Sequence, residues 1–307
     1  MAVTHDERAA RLAELPLRSI GPTPGLARGS IDQVRDVWRQ RELLNLLVRR
    51  ELRAKYKDST LGLFWSLAKP LALLLVYYVA IGKFLGAEQV PGREGGIPAF
   101  AVYIFTGLTA WQLFSDIVLG GTGSILSNAG LIKKVYLPRE IFPLSVVGSA
   151  LFNFAIQLGI LLAATIVSGA FPTGSRWWAF LLSLAVAITF GTALALVLSA
   201  VNVYLRDVQY LVEIAFMVLF WASPIVYSWG LVAPHIEGTP LETLYLANPM
   251  TLVVLGFQRA FWVAGDGTPV PSNLDGRLAI ALAVSLVLLW ISQRVFARLQ
   301  GDFAQEL

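Results

Sequence analysis

The chain has 307 residues, 56% hydrophobic and only 14% charged, where an average soluble domain carries roughly 25% charged residues. A water-soluble core cannot absorb that much apolar surface, and the absence of cysteine removes disulfides, thiolate catalysis and cysteine-based metal sites together. Twelve of the 24 Lys and Arg residues precede Gly62, so the net charge of +4 describes a basic N-terminal arm; because the arm runs into a hydrophobic segment, it suits anionic lipid headgroups and not nucleic acid.

Residues 1–29 are polar and broken by Pro16, Gly21, Pro22, Pro24, Gly25 and Gly29, which predicts a disordered cytoplasmic tail. No uninterrupted apolar run occurs in the first 60 residues, so a cleavable signal peptide is not expected. Insertion then relies on the first membrane span. Ser30 and Gln33 read as a capping box opening an amphipathic helix within residues 30–60. Its apolar residues Ile31, Val34, Trp38, Leu44, Leu47, Val48 and Leu52 recur at helical spacing among Arg35, Arg39, Arg41, Arg49, Arg50, Arg53 and Lys55. That pattern fits a basic helix lying in the membrane interface or one packed on a partner protein.

A helix needs about 20 apolar residues to cross the hydrocarbon. Six segments are predicted to do so: Phe64 to Leu85, Ile97 to Leu119, Ile141 to Ser168, Trp177 to Ala200, Ile214 to Val232 and Leu278 to Val295. The fold class is therefore an all-α integral membrane protein, its spanning domain covering residues 61–298 and followed by a cytoplasmic tail, 299–307. Lys69 sits inside the first span, close enough to its end to snorkel to the headgroups. Gly120, Gly121 and Gly123 are expected to loosen the end of span two, and Pro224 to kink span five. The stretch Leu244 to Ala264, interrupted at Asn248-Pro249 and Gln258-Arg259, reads as two short re-entrant helices on the periplasmic side, with a seventh span as the alternative. With six spans, 19 of the 24 basic residues fall on the cytoplasmic side, which places both termini there.

Catalytic chemistry is sparse. The histidines are His5 in the tail and His235 in an outer loop, and there is no Asp-x-Asp pair, nucleophile elbow or phosphate loop. The ionisable residues Lys69, Lys83, Asp116 and Glu213 lie near span ends, unlike the midplane charges of ion-coupled carriers. If transport is active, energy must arrive from a partner.

Three segments carry a resemblance. The first is Arg49-Arg50-Glu51-Leu52-Arg53-Ala54-Lys55-Tyr56-Lys57-Asp58-Ser59-Thr60-Leu61-Gly62-Leu63-Phe64-Trp65, followed by Pro70. The second is Asn128-Ala129-Gly130-Leu131-Ile132-Lys133-Lys134-Val135-Tyr136-Leu137-Pro138-Arg139-Glu140, between spans two and three. The third joins Tyr204-Leu205-Arg206-Asp207-Val208, Ser223-Pro224-Ile225-Val226-Tyr227 and Leu246-Ala247-Asn248-Pro249. Together they resemble the membrane subunits of type-2 polysaccharide ABC exporters, which move O-antigen, teichoic acid, capsule or galactan across the cytoplasmic membrane. Lys69 before Pro70 is a departure that adds positive charge.

The resemblance implies a homodimer working with two copies of a separate ATPase that uses ATP and Mg, with no cofactor, metal or catalytic residue in this chain. It assigns ATPase coupling to a short helix around Leu131, Ile132, Lys133, Lys134, Val135 and Tyr136, bounded by Pro138, Arg139 and Glu140. It makes Arg53, Lys55, Tyr56, Lys57, Gly62, Trp65, Arg206 and Asp207 the interface helix and access route for a polyprenyl-pyrophosphate-linked glycan, and Lys69, the departure, adds a positive charge at that entry. Sugar rings offer apolar CH faces, so Tyr77, Tyr78, Tyr103, Phe105, Trp111, Phe114, Phe216, Phe220 and Tyr227 are candidate channel aromatics; each also suits packing or the interfacial belt. Related drug and lipid permeases share the architecture. A membrane transferase acting on polyprenyl-linked sugars is the rival from another class, and it needs acidic or histidine catalysts that this sequence barely offers.

Overall fold

The computed structural model describes residues 39–56, 64–86, 99–134 and 137–307, and at residues 56, 64–67 and 304 the backbone alone. The expected tail, the capping box at Ser30 and Gln33, and Ile31, Val34, Arg35 and Trp38 lie outside the described residues. So do Lys57, Gly62, Val135 and Tyr136, together with the side chains of Tyr56 and Trp65.

The described residues form helices and no strands. In chain order they are α1 (Arg41–Tyr56), α2 (Phe64–Tyr77) with a π-helical continuation over Tyr78–Phe84, α3 (Phe100–Ser127), α4 (Ala129–Ile132), α5 (Ile141–Val167) and α6 (Arg176–Tyr204). There follow α7 (Val208–Trp221), α8 (Trp229–Ile236), α9 (Pro240–Ala247), α10 (Pro249–Phe261), α11 (Leu274–Leu299) and, after a 3-10 turn, α12 (Phe303–Glu306). Four of them, α3, α5, α6 and α11, are long and apolar enough to cross a membrane.

The segment expected as the first span is helical, as α2 and its π-helical continuation, where the Leu85 N–H closes on the Ala80 carbonyl at 3.1 Å, but it is not among the four helices long and apolar enough to cross a membrane. The fifth differs from expectation. Its helix α7 has 14 residues, about 21 Å of rise, short of the roughly 30 Å of hydrocarbon. Pro224 does not kink a continuing helix, because α7 has already ended at Trp221. Proline disfavours helical geometry in the residue before it, and the chain instead turns through a buried non-helical stretch, Ser223–Val226. The freed carbonyls are met by side chains: Tyr103 Oη donates to Pro224 O at 3.2 Å and Tyr227 O at 2.5 Å, and Gln258 Nε2 donates to Pro224 O at 2.7 Å. Irregular backbone inside a membrane protein is tolerated where protein satisfies it in this way.

The interrupted stretch after it forms two short helices. Proline opens each, and at α10 the Asn248 side chain accepts from the Met250 N–H at 3.0 Å. Helix α10 has 13 residues, again shorter than a span, and nearly all of it is buried.

Helix α6 is the hub, packing on α3, α10 and α11. Small residues allow the close approach. A Cβ at Gly121 would lie 2.5 Å from Ala195 Cβ, and one at Gly256 only 1.9 Å from Ser183 Oγ. The glycines at 120, 121 and 123 therefore do not loosen span two. Helix α3 continues through them to Ser127, and they are contact positions against α5, α6 and α7.

Helix α1 lies on α5. Leu47 is buried in a cluster with Ile125, Ile132, Ile141, Phe142 and Phe303, and a Cβ at Gly148 would sit 2.6 Å from Val48. The sequence alternatives are a helix in the membrane interface or one packed on a partner protein; at Leu47 and Val48 the helix instead covers the chain's own bundle. Arg41, Arg49, Arg50, Arg53 and Lys55 remain exposed.

Candidate functional site

A groove of about 320 Å³ opens between α2, α3 and α7. Residues one or two turns apart converge on it: Lys69, Leu73 and Tyr77 from α2; Leu108, Trp111, Gln112 and Ser115 from α3; Phe216, Met217, Phe220 and Trp221 from α7. One part of its wall is aromatic. The Tyr77 and Phe220 rings stack with centroids 5.9 Å apart, and Trp111 lies 5.4 Å from Phe216 and 5.6 Å from Phe220. The other part is polar, with Lys69, Gln112 and Ser115. Gln112 Nε2 donates to Asp116 Oδ1 at 2.7 Å, and Lys69 is exposed.

The structure thus gathers Lys69, Tyr77, Trp111, Phe216 and Phe220 of the expected site. Phe114 stands behind the wall, stacked on Phe216 at 5.2 Å and on Phe190 at 5.7 Å. The remaining candidates do not reach the groove. Tyr78 packs on Phe100, with the Lys83 ammonium 5.4 Å from its ring; Phe105 is core; Tyr103 holds the 224–227 backbone. Tyr227 donates to Trp221 O at 2.7 Å and meets Tyr245 Oη at 3.2 Å. Sequence reasoning passed over Gln112, Ser115, Met217 and Trp221, although each lies one residue or one turn from a residue it named.

A second site lies at the α4 end of the bundle. The expected short helix is one turn, Ala129–Ile132, followed by exposed Lys133 and Lys134. Ile132 is its buried anchor. Beyond Pro138 the Arg139 guanidinium stands 5.6 Å over the Phe303 ring, and buried Glu140 accepts from Gln300 Nε2 at 3.3 Å. Arg50 of α1 donates to Asn128 Oδ1 just ahead of α4. Glu51 accepts from Ser145 Oγ and, at 3.1 Å, from Ser149 Oγ; burial pushes its carboxyl up from the ordinary value, outweighing both hydroxyls and Arg50. Arg206 and Asp207 are exposed in the α6–α7 turn.

Among the described residues no group of three or more His, Asp or Glu side chains converges as a metal site would. His235 is a loop-side residue whose ring contacts its own helix at Leu231 O, 3.1 Å. At the opposite end of the bundle, Arg176 pairs with Asp266 and donates to Arg259 O at 2.7 Å, and Arg259 pairs with Asp275 at 2.9 Å. These pairings account for cations at the end expected to be poor in them.

Chemically the groove can stack apolar ring faces and hold an anion beside them. The comparisons agree with a transport role. The model of the family described as ABC-2 type transporter matches residues 42–262. The O-antigen export system permease protein RfbA of Myxococcus xanthus is 34% identical over 279 residues, 89% of this chain and 98% of that protein. RfbA of Klebsiella pneumoniae is 26% identical over 266 residues, 87% of this chain and 95% of its own. The polysialic acid transport protein KpsM of Escherichia coli is 22% identical over 192 residues, 61% of this chain and 70% of its own. With the family match covering most of the sequence, groove and α4 segment included, the chain belongs to the ABC-2 type transporter family.

Proposed function

We infer that the chain is the membrane half of an ATP-driven exporter of lipid-linked polysaccharide. The groove carries this reading, because it sets an aromatic wall beside a single cation, Lys69. Stacking on CH faces grips successive sugars without reading their identity, so a long glycan can slide. Lys69 then faces the phosphates of a polyprenyl diphosphate carrier. The matched relatives are named for the export of O-antigen and polysialic acid, which fits a glycan cargo.

The translocation path would be enclosed by a homodimer. Leu71, Leu75 and Val76 on α2 and Leu211, Ile214 and Met217 on α7 leave exposed apolar faces beside the groove for the second copy. A separate ATPase in two copies, using ATP and Mg, supplies the energy, docking on Leu131 to Glu140. The exposed cations of α1 lie against anionic lipid, with Arg53, Lys55, Arg206 and Asp207 flanking the access route. Both termini are then cytoplasmic in the inner membrane, and α9 and α10 re-enter from the outer side. The test is co-purification with an ATPase encoded beside this chain, followed by identification of the intermediate that accumulates when the chain is depleted. A lipid-linked glycan trapped on the cytoplasmic leaflet is expected. Normal surface glycan on depletion would defeat the reading.

A further inference from the structure

The C-terminal residues are not a loose tail. After α11 the chain turns through Gln300–Asp302 and returns to the bundle with Phe303, whose side chain is fully buried. Five contacts fix this return. The Phe303 ring meets Tyr204 at the end of α6, centroids 6.1 Å apart, and Phe296 of α11 at 5.6 Å, both edge to face. Tyr204 Oη donates to Leu299 O at 2.7 Å. The Arg139 guanidinium covers the ring from the loop side, and Gln300 Nε2 reaches Glu140. The same cluster holds Leu47 of α1 and Leu131 and Ile132 of α4.

We propose that residues 300–307 form a brace, with Phe303 as its positioning residue, that fastens the Pro138-Arg139-Glu140 segment to the ends of α6 and α11. This rests on the reading that the α4 segment receives motion from an ATPase. One turn of helix cannot carry a displacement into a bundle by itself, because an unfastened connection absorbs it by rotation about its backbone. Aromatic edges and a guanidinium packed on a buried ring leave few alternative arrangements, so the loop and both helix ends move as one body. The push is delivered to α6, the helix on which α3, α10 and α11 pack.

The absence of cysteine permits a direct test. In the complex with the ATPase, E140C and Q300C are joined by a short bis-methanethiosulfonate linker, and export per ATP hydrolysed is compared with that of the unlinked pair. A brace that moves with the loop keeps the linked complex at the unlinked ratio; a linked complex that still hydrolyses ATP and no longer exports overturns the proposal. Phe303→Ala and Arg139→Gln should each lower export per ATP hydrolysed about 5-fold or more at unchanged membrane level; Phe303→Ala, outside the docking segment, should also leave ATPase binding unchanged, and Phe303→Tyr should restore the ratio. Wild-type ratios in both variants would also overturn the brace. Should Phe303→Ala fail to accumulate, Arg139→Gln and the linked pair decide, since neither removes the buried ring. Failure of the unaltered chain to bind the ATPase would instead strike the coupling reading itself.

Discussion

Tyr77 of α2 and Phe220 of α7 stack in the groove wall with their planes only 24° apart. Two helices that belong to different parts of the sequence therefore present one continuous aromatic face. Replacing either ring with Ala should weaken glycan binding about 3- to 10-fold, the value of roughly 1 kcal/mol for an aromatic contact beyond its buried area. Leu replacements separate stacking from bulk. Equal export by the Leu variants at both positions would return these residues to packing.

Lys69 gives the groove its cation. Lys69→Gln keeps length and polarity but removes charge, and should cut affinity for farnesyl diphosphate by about 10- to 100-fold, as expected for a charge-assisted hydrogen bond of about 1.5–3 kcal/mol. Quenching of Trp111 and Trp221 fluorescence follows the binding. Unchanged affinity, with Lys69→Gln exporting normally, would make Lys69 a snorkelling residue.

Glu51 makes the docking of α1 depend on pH. Its pKa is raised above 4.5 when the helix is docked, chiefly by burial. A carboxyl with a raised docked pKa stabilises docking below the undocked pKa and loses that contribution as pH climbs through the docked one. Docking should thus loosen from pH 4.5 upward, and Glu51→Gln should flatten the profile. Hydrogen exchange of the α1 amides, corrected for intrinsic rate, measures it; parallel profiles for both proteins would remove Glu51 as the cause.

Gly121 sets the distance between α3 and α6. A Cβ there would meet Ala195 Cα at 3.2 Å as well as its Cβ, so a flexible side chain cannot yield. Gly121→Val should lower stability by about 1–3 kcal/mol, the cost of overpacking a filled core. Gly130→Ala, with open space around it, is the control expected to stay near wild type. Thermal unfolding in detergent distinguishes them.

Hydropathy and length made the long helices legible, because α3, α5, α6 and α11 each carry enough apolar residues to be read without tertiary knowledge. The break at Trp221 was not, since apolarity continues through Pro224 and the turn is stabilised by Tyr103 and Gln258, side chains 121 and 34 residues away in sequence. Local pattern says that Gly121 can flex; only Ala195 says that it must be small. In the groove, Tyr77, Trp111, Phe216 and Phe220 were nameable from chemistry, whereas excluding Tyr103 and Phe105 required knowing which face of α3 turns inward. Arg139 was nameable from its loop motif, but its place over the Phe303 ring was not.

The central claim is that ATP hydrolysis by a partner moves a lipid-linked glycan through this chain. It is tested most directly in proteoliposomes containing the chain, its ATPase and the glycan, with Lys133→Glu and Lys134→Glu introduced together as the uncoupled control. Protection of the glycan from an added glycosidase is followed over time. The account predicts ATP-dependent transfer across the bilayer by the unaltered complex, and loss of transfer or of ATPase association in the charge-reversed one with its membrane insertion intact. Hydrolysis without transfer by the unaltered complex, or full transfer without the ATPase, would contradict it.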